Sequence, residues 1–117
     1  MAVDLDFSVT ENSSVVIQAT FTDEEGDTIS AGLIKSIKWT LKDVQTGRVV
    51  NNRKDVSVTP ANPVNIFLYD DDLKIINRRN ETEQRELIVK VIYDSVYQEN
   101  ATLRESCLFK VRRLSSG

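Results

Sequence analysis

The residues best suited to chemistry in this sequence are carboxylates, which are grouped in two short acidic stretches. Residues 23–27 read DEEGD and residues 69–72 read YDDD. Carboxylate oxygens suit Ca²⁺, and paired carboxylates can act as general acid and base. The spacing differs from that of an EF-hand loop, which needs oxygens at alternate positions and a glutamate at the twelfth. Turn residues that cap backbone amides explain both stretches more simply, so we expect no metal site and no catalytic residues.

The sequence offers no base for a nucleophile. It contains no histidine and one cysteine, Cys107. Ser–His and Cys–His pairs, His-ligated metals and an intrachain disulfide are therefore excluded. Cys107 alternates with Phe109, which is typical of a small buried apolar residue and not of a reactive thiol. We expect a protein that is not an enzyme and that uses no cofactor.

Composition and charge narrow the class of protein further. The chain has 117 residues, of which 40% are hydrophobic and 28% charged, and its net charge is −3. This predicts a single domain over residues 1–117, with a core from about residue 5 to 113 and a short disordered tail at 114–117. An acidic chain lacks the basic excess of a nucleic-acid-binding surface. No apolar run reaches the ~18 residues that span a bilayer, and the first residues lack the pattern of a secretory signal. We expect neither nucleic acid nor membrane as a partner, and synthesis in a reducing cytosol.

The elements that must position these residues are predicted to be strands, because the dominant hydrophobic period is two. The clearest alternations are SVVIQATF (14–21), SIKWTLKD (36–43) and RELIVKVIYDS (85–95). Shorter runs predict an edge strand at Arg48–Val50, strands near 56–58 and 64–68, and a last strand over 102–114 with a bulge near Glu105. Asp70 or Asp71 is expected to cap one short helical turn. About seven or eight short strands predict an all-β antiparallel sandwich.

Trp39, the only tryptophan, lies at the middle of one alternation, between Ile37 and Leu41. A ring of this size can bridge the roughly 10 Å between two sheets, so we predict that Trp39 is the centre of the core. The other predicted core residues share the inward face of their strands. They are Val15, Ile17, Phe21, Ile37, Leu41, Leu87, Val89, Val91, Tyr93, Cys107 and Phe109.

Several apolar residues remain once one face of each strand is assigned to the core. If the strands near 64–68 and 85–95 are neighbours, their leftover side chains form one apolar patch of the kind that marks an interface. Scattered exposed apolar groups are the alternative. Basic residues that alternate with Phe109 are expected on the solvent side of an edge strand, where a partner could dock. The predicted interface residues are Phe67, Tyr69, Ile88, Ile92, Lys110 and Arg112.

The order of these motifs resembles that of small immunoglobulin-like proteins encoded by tailed bacteriophages. The resemblance extends over roughly residues 15–111 and is clearest in IFLYDDDL (66–73) and VIYDS (91–95). It includes FTDEEG at 21–26 and KWTLKD at 38–43. These are strand and turn patterns, which are more specific for a fold than for a role.

The resemblance implies an immunoglobulin-like sandwich that serves as a non-enzymatic part of a phage virion. Such a part is made in the bacterial cytoplasm and binds other virion proteins, as a capsid decoration or at the portal, neck or tail, in multiple copies. The two strand cysteines of antibody domains are absent, so no antibody-type disulfide is implied. The alternative is a binding module for carbohydrate or a host surface, for which Tyr69 and Tyr97 are the candidate loop aromatics.

Overall fold

The protein is built from β-strands, as seen in a computed structural model that describes residues 2–77 and 79–114, with residues 2–7 as backbone only. The strands are β1 (Ala2–Thr10), β2 (Ser14–Ala19), β3 (Ile34–Asp43), β4 (Val56–Val58), β5 (Val64–Tyr69), β6 (Thr82–Tyr93) and β7 (Ala101–Arg112). Two short 3-10 helices, η1 (Ala31–Leu33) and η2 (Asp70–Leu73), interrupt them, and the described residues contain no α-helix. The prediction of an all-β chain is confirmed. Residues 115–117 of the predicted tail lie outside the described residues.

The strands form two sheets packed as a sandwich, which is also as predicted. The larger sheet has the order β1-β7-β6-β3-β4, and the smaller consists of β2 and β5. Neighbouring strands are antiparallel except β1 and β7, which are parallel. The expectation of a wholly antiparallel sandwich is wrong at this pair. No hairpin joins β1 to β7, so no turn dictates their relative direction.

The two sheets enclose an apolar core in which Trp39 is 4% exposed. Trp39 is paired with Val56 of β4 on one side and with Val89 of β6 on the other. Of the other predicted core residues, Ile17, Phe21, Ile37, Leu41, Leu87, Val89, Val91, Tyr93 and Phe109 are buried, and Val15 and Cys107 are half-buried against them.

The segment Arg48–Val50 is not the predicted edge strand, since it makes only one bridge, between Lys42 and Val49. A tight turn connects β3 to this segment. The Asp43 carboxylate accepts hydrogen bonds from the backbone N–H and the hydroxyl of Thr46, at 3.1 and 2.8 Å. The returning segment makes two backbone hydrogen bonds to β3, from Asp43 N–H to the Arg48 carbonyl and from Val50 N–H to the Leu41 carbonyl. It then turns away at residues 51 and 52, which both have positive φ, so no ladder develops.

Strand β1 is an addition to the predicted strands, and it changes the position of β7. Because β1 occupies the sheet edge, β7 lies between β1 and β6 and is not the edge strand expected around Lys110 and Arg112. The register of β6 and β7 runs without a shift along the whole pair. The expected bulge near Glu105 is therefore absent, and Glu105 lies opposite the buried Val89 on the inner face.

Candidate functional site

The outer face of the small sheet carries three exposed apolar side chains, Val16, Phe67 and Tyr69, which we call the outer patch. They are 56%, 53% and 43% exposed. Val16 is paired directly with Phe67 across the sheet. The Phe67 and Tyr69 rings are stacked, with centroids 5.1 Å apart and planes 22° apart. Positions of β5 alternate between buried and exposed, and its sequence is VNIFLY. The patch arises because apolar residues occupy all of the buried positions and two of the three exposed ones.

Arg53 closes one side of the outer patch. Its guanidinium carbon lies 5.8 Å from the centroid of the Tyr69 ring and 5.9 Å from that of the Trp39 ring. Its Nε donates a 2.7 Å hydrogen bond to Asp72 Oδ1, which raises the pKa of Arg53. A cation fixed over two rings at the rim of an apolar patch is the arrangement common at protein interfaces.

Asp72 holds this side of the patch in place from inside the protein. It is fully buried, and its Oδ1 also accepts a 2.8 Å hydrogen bond from Asn51 Nδ2. Its Oδ2 accepts a 3.1 Å hydrogen bond from the backbone N–H of Tyr69. The expectation that Asp70 or Asp71 caps the short turn is therefore wrong: both are exposed, and Asp72 satisfies the turn because it alone points inward.

The six predicted interface residues do not converge on one surface. Phe67 and Tyr69 lie on β5, whereas the other four lie on β6 and β7 in the opposite sheet. The prediction of one shared apolar patch is wrong, because β5 and β6 are in different sheets and their outward faces point in opposite directions. Ile88 and Ile92 are half-buried on the outer face of the large sheet, and Lys110 and Arg112 are exposed there.

A buried ionic cluster, absent from the sequence expectations, connects β6 to β3. Arg85 is fully buried, and its Nη1 donates a 2.8 Å hydrogen bond to Asp43 Oδ1. Its Nη2 donates to Glu83 Oε1 at 2.6 Å and to the Lys74 carbonyl at 2.9 Å. Arg85 Nε has no hydrogen-bond partner among the described residues. The cluster lies in the packed interior, where one guanidinium is paired with two carboxylates.

Glu83 is kept ionised by this cluster. Burial acts to raise the pKa of Glu83, but hydrogen bonds from Arg85, from the amides of Ile76 and Asn77 and from Asn80 outweigh it and lower the pKa to about 2. The amide bonds are 2.8 and 2.9 Å long. Glu83 therefore fastens the segment before β6 as well as balancing the charge of Arg85.

The acidic turn at 23–27 lies against two tyrosines at one end of the sandwich. The Tyr93 hydroxyl donates to Glu24, and the Tyr97 hydroxyl donates to Glu25 Oε1 at 2.5 Å. The bond to Glu24, together with burial, raises the pKa of Tyr93 to about 12. The described residues include no group of three or more His, Cys, Asp or Glu placed to hold a metal ion. Two of the turn's carboxylates thus act as acceptors for phenols.

Comparison with known proteins adds no relative: no protein-family model, curated protein or solved structure matches this chain. Within the part of the chain that the structure describes, no helix has the length and apolarity needed to cross a membrane. The outer patch with its Arg53 rim is therefore the feature from which a function can be argued.

Proposed function

We propose that this chain is a non-enzymatic structural or accessory protein of a tailed-phage virion, located in the virion and bound to other virion proteins. It serves as a capsid decoration or as a component of the neck or tail, in multiple copies per particle. The outer patch carries the proposal, since stacked exposed rings beside a fixed cation are features enriched at protein interfaces, which supports a protein partner. The phage context comes from the resemblance in IFLYDDDL (66–73) and VIYDS (91–95).

An immunoglobulin-like arrangement of the sandwich belongs to the same proposal. The order β7-β6-β3-β4 corresponds to strands G, F, C and C′ of a variable-type immunoglobulin sheet, and the β2-β5 pair corresponds to strands B and E. Strands equivalent to A and D beside B and E are absent from the described residues. The small sheet is thus left narrow, with an exposed apolar outer face and no described strand beyond either edge.

The decisive experiment is mass spectrometry of purified particles, with copy number, for virions produced with the wild-type chain and with two variants. Phe67→Asp places a charge in the outer patch and should remove the chain from the particle. Val96→Asp is the matched control, because Val96 is 89% exposed in the loop after β6 and lies outside the patch. Retention of Phe67→Asp at wild-type copy number would refute the patch as the contact surface. Absence of the wild-type chain from particles would refute the virion role.

One observation favours a second candidate, the carbohydrate- or host-binding module. Tyr97 is 68% exposed in a loop at one sandwich end, and its hydroxyl is held by Glu25. A ring fixed beside a carboxylate is a platform on which a sugar can stack. Tyr69, the other predicted loop aromatic, is the last residue of β5 and stacks on Phe67 instead. A glycan array probed with wild type and Tyr97→Ala distinguishes the candidates, since only the module loses a signal.

A further inference from the structure

The free edge of β2 presents unused backbone hydrogen-bonding groups. The backbone N–H of Asp70 donates to the Ser13 carbonyl at 3.0 Å, and at the other end Phe21 N–H donates to the Asn62 side chain. Along an antiparallel strand, the backbone N–H and C=O groups of successive residues point alternately to the partner strand and away from it. Residues 13 and 21 both bond toward β5, so the backbone N–H and C=O groups of the odd-numbered β2 residues point to β5. Those of Ser14, Val16 and Gln18 point to the other side. No described strand pairs with β2 there.

This edge lacks the devices that normally protect one. The stretch SVVIQAT at 14–20 contains no charged residue and no proline. Exposed edge strands are usually blunted by lysine, proline or a covering segment, because an uncharged edge pairs readily with another chain. An unprotected edge of this kind is expected where pairing with another strand is the purpose.

A groove of about 430 Å³ runs beside this edge, between the two sheets. Its walls are residues 16–19 of β2 and the following Thr20 on one side, and residues of β6 and β7 on the other. The middle of β7 is incompletely covered there: Cys107 is half-buried, whereas Phe109, two residues on, is fully buried. The small sheet thus ends one strand short of covering β7. The described lining residues on the large sheet are Leu87, Val89, Glu105, Ser106 and Cys107.

Glu105 makes the groove favour a positively charged occupant. It is half-buried on the inner face, directly opposite Val89, and lines the groove. No hydrogen bond or ion pair joins its side chain to another described residue. A carboxylate on a mostly apolar wall favours an occupant that brings a cation, since opposite charges attract more strongly away from bulk water.

The shape of the groove selects a single strand and not a second folded copy. The large sheet continues under the groove as β7 and then β1, beyond the edge of β2. A second copy that offered its own β2 would bring its own large sheet to the same place, and the two sheets would collide. A lone extended segment meets no such obstacle and completes the small sheet as a third strand.

We propose that this groove binds one extended segment of another polypeptide, apolar at the positions that face the core and carrying a lysine or arginine opposite Glu105. The segment hydrogen-bonds to Val16 and Gln18 and covers the half-buried Cys107, a case of strand addition to a sheet edge. The proposal rests on the proposed function in one respect, namely that the partner is a protein.

The test uses the full chain with a strand attached to its C-terminus. The attached sequence is Thr-Val-Thr-Lys-Thr-Val-Thr, and the matched control has Glu in place of Lys. Arg112 lies about 17 Å along β7 beyond Cys107, so a linker of about fifteen Gly and Ser residues, with a span near 21 Å, reaches the groove. Tethering keeps the strand at roughly millimolar effective concentration, so that weak binding is still detected. The readout is hydrogen exchange of individual amides by NMR on the monomeric fusion.

The expected result is about tenfold slower exchange at Val16 and Gln18 with the Lys strand, and a much smaller effect with the Glu strand. Glu105→Lys should reverse that order. Val16→Pro removes one outward N–H and should abolish the protection of the Gln18 amide by the Lys strand. Circular dichroism should show that the variant is still folded. Unchanged exchange at Val16 and Gln18, equal protection by both strands, or protection confined to Phe67 and Tyr69 would each overturn the proposal.

The outcome is separable from that of the proposed function. If the Lys strand protects the β2 amides but the chain is missing from virions, the strand-binding groove is supported and the virion role is refuted. If the chain is present in virions but the Lys strand does not protect its β2 amides, the virion role is supported and the strand-binding groove is refuted.

Discussion

Arg53 and Asp72 form a 2.7 Å ion pair that connects the interior of the protein to the outer patch. The Asp72 carboxylate is fully buried, while the guanidinium of Arg53 lies within 6 Å of the ring centroids of both Trp39 and Tyr69. The largest core residue and one ring of the proposed docking surface therefore share a cation. We therefore expect a substitution that disturbs this ion pair to change the stability of the core as well as the outer patch.

Arg53→Lys should lower the free energy of unfolding by about 1–2 kcal/mol. Lysine keeps the charge but loses the Nε donor and the planar group that packs on both rings. Arg104→Lys, on an exposed position of β7, is the matched control and should change stability by less than about 0.5 kcal/mol. Urea unfolding of both variants provides the measurement. Equal values for the two would mean that the geometry of Arg53 contributes nothing.

Trp39→Ala should cost about 3–5 kcal/mol, because it removes the ring that both neighbouring strands pack against. The tryptophan emission of the folded wild type should be blue-shifted relative to the unfolded chain, since the ring is 4% exposed. Val96→Ala, at a loop position, should leave the unfolding midpoint unchanged. An unaltered melting temperature for Trp39→Ala would contradict the position of the ring.

Glu83 should make the protein sensitive to acid. Its pKa is lowered from 4.5 to about 2, so the unfolded chain takes up the proton first as pH falls. The stabilisation is complete above pH 4.5 and is lost progressively as pH falls to about 2. A shift of this size corresponds to a free energy on the order of 3 kcal/mol.

Glu83→Gln should therefore destabilise the protein at pH 7, and its difference from wild type should shrink as pH falls from 4.5 to 2. Denaturant unfolding at four pH values across this range measures the effect. Glu86→Gln, half-buried on the outer face of the same strand, is the control and should show little of this pH dependence. A Glu83→Gln deficit that is constant with pH would contradict the assignment.

A proline pair tests the direction of the β2 amides. Gln18→Pro removes an N–H that points to the free edge and should cost little, because no backbone hydrogen bond is lost. The one side-chain bond that it removes, from Gln18 Nε2 to Asn65 Oδ1, is 3.3 Å long and exposed. Ala19→Pro removes an N–H that points to β5 and should cost about 1–3 kcal/mol, because it breaks a ladder hydrogen bond. Thermal unfolding compares the two. The reverse ranking would show that β2 pairs through its other side.

Cys107 should react slowly with a thiol reagent in the native state. Burial raises the pKa of Cys107, and the charge of Glu86 raises it further, while the backbone N–H of Leu87 acts in the opposite direction. Less thiolate is therefore present at neutral pH than in a free cysteine. Iodoacetamide labelling at pH 7.5 with and without urea should differ strongly, and the native rate should rise with pH. Equal rates in the two conditions would place the thiol at the surface.

The strands themselves were within reach of the sequence, because each buries one face and so repeats with period two. Strand β1 has the same signal, with Val3, Leu5, Phe7 and Val9 at every second position, although it precedes the first predicted strand. The failed edge strand at Arg48–Val50 is too short for periodicity to separate it from a turn.

The contacts of charged residues were beyond the sequence. A local pattern assigns Arg85 and Asp72 to solvent, because charges are rarely buried without a partner. Their partners lie far along the chain: Asp43 is 42 residues from Arg85, and Arg53 is 19 from Asp72. Strand neighbours are equally invisible to periodicity, which is why the predicted patch of Phe67, Tyr69, Ile88 and Ile92 divides between two faces.

The parallel partnership of β1 and β7 has a consequence for folding. Because β1 is the first and β7 the last strand described along the sequence, their pairing closes a long loop, and the large sheet is complete only once β7 has been synthesised. Any nascent chain that stalls before Ala101 keeps β1 and β6 with bare edges and is exposed to misassembly.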